Sequence, residues 1–227
     1  MDDKDLLRIL NRMEGVSRRS LYLIPQEVEA QTFIHRLLEP HRMTPAAGGW
    51  AANYTTLAAM LDHLTTVEQP LVYDFGGGVS TLYFALFAKK FGGHVISIDH
   101  DDHFIGITRT YLDTFGVSDC ATLVHAPIVN QEGGPWYDRS AIPLRSDIDL
   151  VFVDGPLGSL QPKVRRHALP FVVDHLATTA TVAIDDTDRP DEREIADDWI
   201  QTWSGRLHHL QGNLSCIFHV ERPDRLS

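Results

Sequence analysis

Hydrophobic positions change their spacing along the chain near residue 70. Before that point they recur at helical spacing, in one stripe close to the start and in a second stripe further on. After it, short runs rich in Val, Ile and Phe alternate with helical segments, which predicts βαβ units around a parallel sheet. The two helical stripes consist of Leu6, Ile9, Leu10 and Met13, and of Leu57, Met60, Leu61 and Leu64.

The apolar runs predict five strands separated by helices. We predict the strands at Leu71–Phe75, His94–Ile98, Ala121–His125, Asp149–Val153 and Ala180–Ile184. We predict the helices at Ser80–Phe91, His103–Phe115, Val164–Leu176 and Glu192–Trp203.

Two other segments follow different patterns. Leu207–Leu210 and Leu214–Val220 flank a turn signal, so we expect the sheet to end in an antiparallel hairpin. Ile128–Ser146 is rich in glycine and proline, which predicts a loop at the edge of the site.

The length of 227 residues is that of one domain, and 43% apolar with 22% charged residues is typical of a globular protein. We therefore predict a single α/β domain over residues 1–227. Residues 1–69 would form an N-terminal helical cap, and residues 70–227 a Rossmann-like, doubly wound, mostly parallel sheet with the C-terminal hairpin.

Charge limits the classes of binding partner, and the cysteine content indicates the cellular compartment. Lys and Arg number 20 against 31 Asp and Glu, a net charge of -11, which argues against nucleic acid and anionic membrane surfaces. Cys120 and Cys216 lie far apart and are expected to be free, buried thiols in a reducing compartment. With an acidic start and no long apolar run, the sequence predicts a cytoplasmic protein.

The strongest local signal is the segment Leu71–Thr81, in which a strand runs into three consecutive glycines and then a helix. Glycines let the backbone approach a ligand closely, and the N-terminus of a helix offers unpaired N–H groups. A dinucleotide-binding fingerprint would need a third glycine where Thr81 stands. Asp74, two residues before Gly76, suits a cationic ligand better than a pyrophosphate.

Carboxylates follow each of the next strands. Asp99 lies 23 residues after the glycine turn, at the distance expected for a carboxylate that binds ribose hydroxyls. Asp154 and the pair Asp185–Asp186 end two later strands, and the carboxyl ends of parallel strands meet at one edge of a sheet. The acids are therefore expected to share one cleft, where a cation would relieve their repulsion.

The Asp-x-Gly-x-Gly pattern from Asp74 resembles the first motif of class I S-adenosylmethionine-dependent methyltransferases, with Ser80 in place of the family's last glycine. The resemblance extends over residues 70 to 203 and implies S-adenosylmethionine as cofactor. The residues that it implies for cofactor binding are Asp74, Gly76, Gly77, Gly78, Ser80, Thr81, Asp99, His100 and Asp154.

The later acids resemble those of the catechol and macrocin O-methyltransferases. That resemblance implies Asp154, Asp185 and Asp186 as ligands of a divalent ion such as Mg²⁺. Leu157 stands where the catechol enzymes have a lysine base, so the candidates for the catalytic groups are Asp154, Lys163 and His100. The alternative for the three acids is helix capping and salt bridges with Arg165, Arg166 and Arg189. Arg165 and Arg166 themselves are expected to lie on a solvated helix face, or to bind the acceptor if it is anionic.

The function implied is methyl transfer to an oxygen of a small-molecule acceptor. N-methyl transfer, a nicotinamide-dependent oxidoreductase and a non-catalytic binding module are the alternatives. Trp50 and Tyr54 are expected either to wall the cofactor site or to pack in the core. Trp136–Tyr137 would be either an aromatic lid or the anchor of its own loop. The stripe from Leu6 to Met13 is expected to pack either on its own domain or on a second subunit, and we predict a homodimer.

Overall fold

The computed structural model describes residues 24–48, 51–203, 207–212 and 215–221. Within these residues, strands and helices alternate from residue 71 onward as the hydrophobic pattern predicts. The stripe from Leu6 to Met13 and the side chain of Trp50 lie outside the described residues. The homodimer suggested by the first stripe therefore stays a prediction.

Seven strands form the main sheet, in the order β3-β2-β1-β6-β7-β9-β8. The first five are parallel, whereas β9 pairs antiparallel with both β7 and β8. The predicted Rossmann-like sheet with a terminal hairpin is confirmed. Its strands are β1 Leu71–Phe75, β2 His94–Asp99, β3 Ala121–His125, β6 Ile148–Val153, β7 Leu176–Ile184, β8 Leu207–Gly212 and β9 Cys216–Glu221.

Helices cover both faces of this sheet, and each face has its own hydrophobic core. Because side chains alternate along a strand, Val72 of β1 packs with α2 and α3 on one face while Tyr73 packs with α5 and α6 on the other. The helices are α1 over 24–38, α2 Tyr54–Leu64, α3 Val79–Phe91, α4 Asp102–Phe115, α5 Ala168–Val172 and α6 Pro190–Thr202.

The N-terminal helices are joined by one carboxylate. Glu27 of α1 accepts hydrogen bonds from the backbone N–H of Tyr54 at 2.8 Å, and from the N–H and hydroxyl of Thr55 at 3.1 and 2.6 Å. Asn53 accepts a further bond from the N–H of Thr56. Because the first N–H groups of a helix have no partner within it, these bonds complete the start of α2 and hold α1 against it.

The segment after β3 differs from the prediction. We predicted a loop over 128–146, but β4 Ile128–Gln131 and β5 Gly134–Tyr137 form a two-stranded antiparallel sheet there. The glycines that suggested a loop lie at its turn, where Gly133 and Gly134 both have positive φ.

The helix predicted over Val164–Leu176 is also wrong. It is divided into a 3-10 turn at Val164–His167, the short α5 and a second 3-10 turn at Val173–His175, after which β7 begins at once. Pro170 explains the division, since a residue without an N–H group is tolerated only near the start of a helix.

Two further predictions can be compared with the structure. Cys120 and Cys216 are both free and buried, as predicted. None of the described helices has the length and apolar character needed to cross a membrane.

Candidate active site

A cavity of about 280 Å³ opens at the carboxyl ends of the parallel strands. The turns that follow β1, β2, β6 and β7 line it, together with Tyr137 of β5. This is the edge where open α/β sheets bind their ligands. It brings Gly76, Gly77, Asp99 and Asp154 together with the acid pair, as the sequence predicts.

The glycine turn after β1 crosses the turn after β6 in close contact. Gly76 has φ of +95°, and a Cβ atom there would lie 2.5 Å from the backbone nitrogen of Gly155. A side chain on Gly77 would collide with the hydroxyl of Ser97. Both glycines therefore expose bare backbone to the cavity, whereas Gly78 lies beside the lining and donates from its N–H to Thr81 Oγ1.

Asp74 lies behind this turn, fully buried, and does not line the cavity. Its Oδ2 accepts hydrogen bonds from the hydroxyls of Ser80 at 2.9 Å and Thr81 at 2.6 Å. Burial raises the pKa of Asp74 to about 7, against the lowering effect of these two bonds. Asp74, Ser80 and Thr81 thus support the turn from behind and lie outside the lining, and their part in cofactor binding stays a prediction.

Asp99 and His100 line the cavity where β2 ends. Asp99 is 8% exposed, and its Oδ1 accepts a hydrogen bond from the N–H of Asp101 at 2.9 Å. His100 Nδ1 lies 3.3 Å from the same oxygen. Burial raises the pKa of Asp99, against the lowering effect of Asp101 and His100. This position is compatible with the ribose contact predicted from spacing.

Asp154 and Gly155 form the opposite wall, after β6. Burial raises the pKa of Asp154 well above its usual range, although the neighbouring Arg165 guanidinium lowers it. Arg165 Nη2 lies 3.2 Å from Asp154 Oδ1. The wall therefore presents a carboxylate of raised basicity, held by a cation on one side.

Arg165 itself is almost completely buried, with 2% of its side chain exposed. Its Nη1 lies 3.0 Å from Asp186 Oδ2, an oxygen that also lies 2.8 Å from Arg189 Nη1. The alternative of a solvated helix face is therefore wrong for Arg165, although Arg166 is exposed. The 3-10 turn at Val164–His167, which replaces the start of the predicted helix, places Arg165 inward. The spacing of hydrophobic residues did not indicate this turn.

The third acid has a different partner. Asp185 Oδ1 accepts a hydrogen bond from the hydroxyl of Ser215 at 2.5 Å, and that hydroxyl lies 2.6 Å from Thr56 Oγ1. In the described parts of the chain, no group of three or more His, Cys, Asp or Glu side chains is arranged to hold a metal ion. The metal site predicted from Asp154, Asp185 and Asp186 is therefore not formed by these residues. One oxygen of each carboxylate contacts an arginine or serine donor instead, so the alternative of salt bridges with Arg165 and Arg189 is confirmed for Asp154 and Asp186.

Two other predicted residues lie outside the cavity. Lys163 forms an ion pair with Glu194 at the surface, and its role as a base stays a prediction. Tyr54 is not in the lining and accepts a hydrogen bond from Gln31. Leu157, at the position of the family's lysine, does line the cavity.

The aromatic pair of β5 is part of the rigid core. Trp136 is fully buried and its ring centroid lies 5.8 Å from that of Phe75, so the loop-anchor alternative is correct and the lid is not. Tyr137, also fully buried, forms part of the cavity floor beside Gly155. Sequence reasoning missed this role, as it missed Phe104, since neither residue belongs to a recognisable motif.

A family model described as a methyltransferase domain matches residues 74–187. The match covers half of the chain, from the carboxylate of β1 to the acid pair after β7. The chain belongs to the class I S-adenosylmethionine-dependent methyltransferases. This decides against the nicotinamide-dependent oxidoreductase, and it agrees with Thr81 standing where a dinucleotide fingerprint needs glycine.

Solved methyltransferase structures share the fold. The O-methyltransferase TomG of Streptomyces achromogenes, in complex with S-adenosylmethionine, is 15% identical over 87% of this chain and 89% of its own, with a TM-score of 0.58. A methyltransferase of Podospora anserina bound to S-adenosylhomocysteine is 14% identical over 93% and 96%, with a TM-score of 0.59.

A methyltransferase with a different reaction has the same architecture. The C-terminal domain of precorrin-6Y C5,15-methyltransferase from Rhodobacter capsulatus is 17% identical over 78% of this chain and 94% of its own, with a TM-score of 0.52. No curated protein matches this chain in sequence. At these identities the structures share their fold with this chain, whereas the acceptor depends on the residues of the site.

The cavity fits S-adenosylmethionine. Gly76 and Gly77 line the cavity with backbone, and their glycine character lets the turn pack closely against Gly155 and Ser97. Asp99 supplies a buried carboxylate on the same wall, and Phe104 with His100 supplies aromatic surface. These residues would hold the cofactor at the β1–β2 end, which leaves the β6–β7 end for the acceptor.

Proposed function

We propose that this protein transfers a methyl group from S-adenosylmethionine to a hydroxyl oxygen of a small, neutral acceptor. The observation that carries the proposal is the Asp154 carboxylate, which lines the acceptor end of the cavity and whose pKa burial raises well above its usual range. A hydroxyl group has to lose its proton when its oxygen is methylated. A carboxylate of raised basicity, within reach of the acceptor, is suited to take that proton.

The neighbouring residues support this role. S-adenosylmethionine, when bound, supplies an electrophilic methyl group, so the protein's task is to orient the acceptor and exclude water. Arg165 fixes Asp154 through one of its oxygens, and Tyr137 and Leu157 give the acceptor end apolar surface. Asp154 then acts as the general base.

The charges around the cavity favour a neutral acceptor. Arg165 and Arg189, which line the acceptor end, are both paired with carboxylates. A phosphate or carboxylate on the acceptor would find no unpaired arginine among the described lining residues, and it would be repelled by the acids. Those acids are Asp99, Asp101, Asp154, Asp185 and Asp186.

Calorimetric titration with S-adenosylhomocysteine tests the cofactor end. We expect binding in the micromolar range and a loss of about 10- to 100-fold in Asp99→Ala, because charge-assisted hydrogen bonds to the ligand are removed. Asp102→Ala, which changes an exposed acid three positions away, is the matched control and should bind like the wild type. A preference of the wild type for a nicotinamide dinucleotide would contradict the assignment.

A panel of alcohols, phenols and amines, with release of S-adenosylhomocysteine as the readout, tests the acceptor end. We expect hydroxyl acceptors to be methylated, and Asp154→Asn to lower kcat by about 100-fold or more while the affinity for S-adenosylhomocysteine is retained. The asparagine keeps an oxygen for Arg165 and removes only the base. Methylation of amines alone, or full activity of Asp154→Asn, would refute oxygen transfer through this carboxylate.

A further inference from the structure

The acceptor end of the cavity contains the acids that the resemblance implies for a metal site, and an arginine lies between two of them. Asp154 and Asp186 each contact a terminal nitrogen of Arg165, at 3.2 and 3.0 Å, and Asp185 accepts the hydrogen bond of Ser215. Each of the three carboxylates expected to bind an ion thus has a protein donor already. The positive charge between Asp154 and Asp186 is therefore supplied by the side chain of Arg165.

Arg165 is held firmly in this position. Its Nε lies 3.3 Å from the carbonyl oxygen of Pro156, and its Nη1 lies 3.4 Å from that of Asp185, in addition to the two ion pairs. Only 2% of the side chain is exposed. A guanidinium stays protonated at any physiological pH, and its planar fork matches two carboxylates at once.

This arrangement disfavours a divalent ion. Mg²⁺ needs about six oxygen ligands at roughly 2.0–2.1 Å, whereas Arg165 already contacts one oxygen of Asp154 and one oxygen of Asp186. A dication placed among these oxygens would also lie within a few ångströms of the positive charge on Arg165, with little water to screen it. Arg189 adds a second positive charge beside Asp186.

We propose that the Arg165 guanidinium takes the place of a divalent metal ion at the acceptor end of the cavity, so that the protein holds Asp154 and its acceptor without a metal. This inference rests on the proposed function. Arg165 is a positioning residue, since it acts on the acceptor through Asp154. The acid pair after β7 then serves to hold the arginine instead of an ion.

Titration of the metal-free full chain with Mn²⁺, followed by electron paramagnetic resonance, tests this directly. We expect no stoichiometric Mn²⁺ site in the wild type, with or without S-adenosylhomocysteine. In Arg165→Met the three carboxylates lose their cation, and Mn²⁺ affinity should rise by about tenfold or more. Arg165→Lys, which keeps the charge, should resemble the wild type.

Arg166→Met is the matched control. Arg166 is the adjacent arginine, it is exposed, and it contacts the carbonyl of Gly133 instead of the acids. The same change in net charge at that position should create no Mn²⁺ site. A purely structural role of Arg165 would predict lower stability in Arg165→Met but no gain of metal binding.

The outcomes separate this inference from the proposed function. One Mn²⁺ ion bound per wild-type chain and lost in Asp186→Asn would overturn the inference, as would a folded Arg165→Met variant that gains no site. If Arg165→Met does not fold, Arg165→Lys and the wild-type titration still decide. Failure to bind S-adenosylhomocysteine would refute the proposed function. The Mn²⁺ titration would still show whether Arg165 takes the place of a metal ion.

Discussion

At the scale of single residues, the site depends on one contact between two glycines. Gly76 closes the turn after β1 and Gly155 the turn after β6, and a Cβ atom on either would lie within 3 Å of the other's backbone. Real Cβ contacts are not this short, so neither turn has room for a side chain. The cofactor wall and the acceptor wall are therefore set at a fixed separation by backbone alone.

We expect Gly76→Ala to lower the free energy of unfolding by about 2–5 kcal/mol, since it combines a positive φ with a backbone collision. Urea unfolding measures this. Gly106→Ala is the control, because a Cβ atom there meets nothing and alanine is the better helix former in α4; it should raise stability by about 0.5–1 kcal/mol. Equal stability of both variants would show that the two turns are not in fixed contact.

At the scale of elements, the sequence predicted what depends on local pattern and missed what depends on contacts. Short runs rich in Val, Ile and Phe located the five parallel strands, and the spacing from Gly76 to Asp99 located two residues that line one cavity. The β4–β5 sheet was missed because its glycines and proline resemble those of a loop. The salt bridges of Arg165 with the acids were among the alternatives that the sequence offered, but its burial was not predicted, because that burial depends on a 3-10 turn.

Glu27 links two elements and gives a prediction at this scale. We expect Glu27→Ala to lower the free energy of unfolding by about 1–2 kcal/mol, because the first N–H groups of α2 lose their acceptor. Glu29→Ala, an exposed acid on the same helix, should stay within about 0.5 kcal/mol of the wild type in the same urea experiment. Indistinguishable variants would argue that α1 contributes nothing to the start of α2.

At the scale of the whole molecule, buried acids make stability depend on pH. Burial raises the pKa of five aspartates, which therefore keep their protons to higher pH in the folded protein than in the unfolded chain. At these five groups the folded state binds more protons than the unfolded chain. Their contribution to the free energy of unfolding therefore falls as pH rises from the usual carboxylate range through their raised pKa values. The five are Asp74, Asp99, Asp149, Asp154 and Asp185.

Asp74, with its pKa raised to about 7, isolates one part of this effect. Between about pH 4 and pH 7 its ionisation should cost the folded state up to about 4 kcal/mol. Asp74→Asn removes that cost. The difference in unfolding free energy between about pH 5 and about pH 8 should therefore shrink by a large part of this amount. Asp174→Asn, at an exposed position, is the control, and a pH dependence unchanged by Asp74→Asn would contradict the assignment.

The hydrogen bonds from Thr56 through Ser215 to Asp185 also determine the order in which parts of the cavity can be completed during synthesis. Ser215 follows Thr56 by 159 positions, so it leaves the ribosome long after the glycine turn and Asp99. Until Ser215 has been synthesised, the Asp185 carboxylate lacks its hydroxyl donor. The acceptor end of the cavity is therefore completed later in synthesis than the residues of the cofactor end.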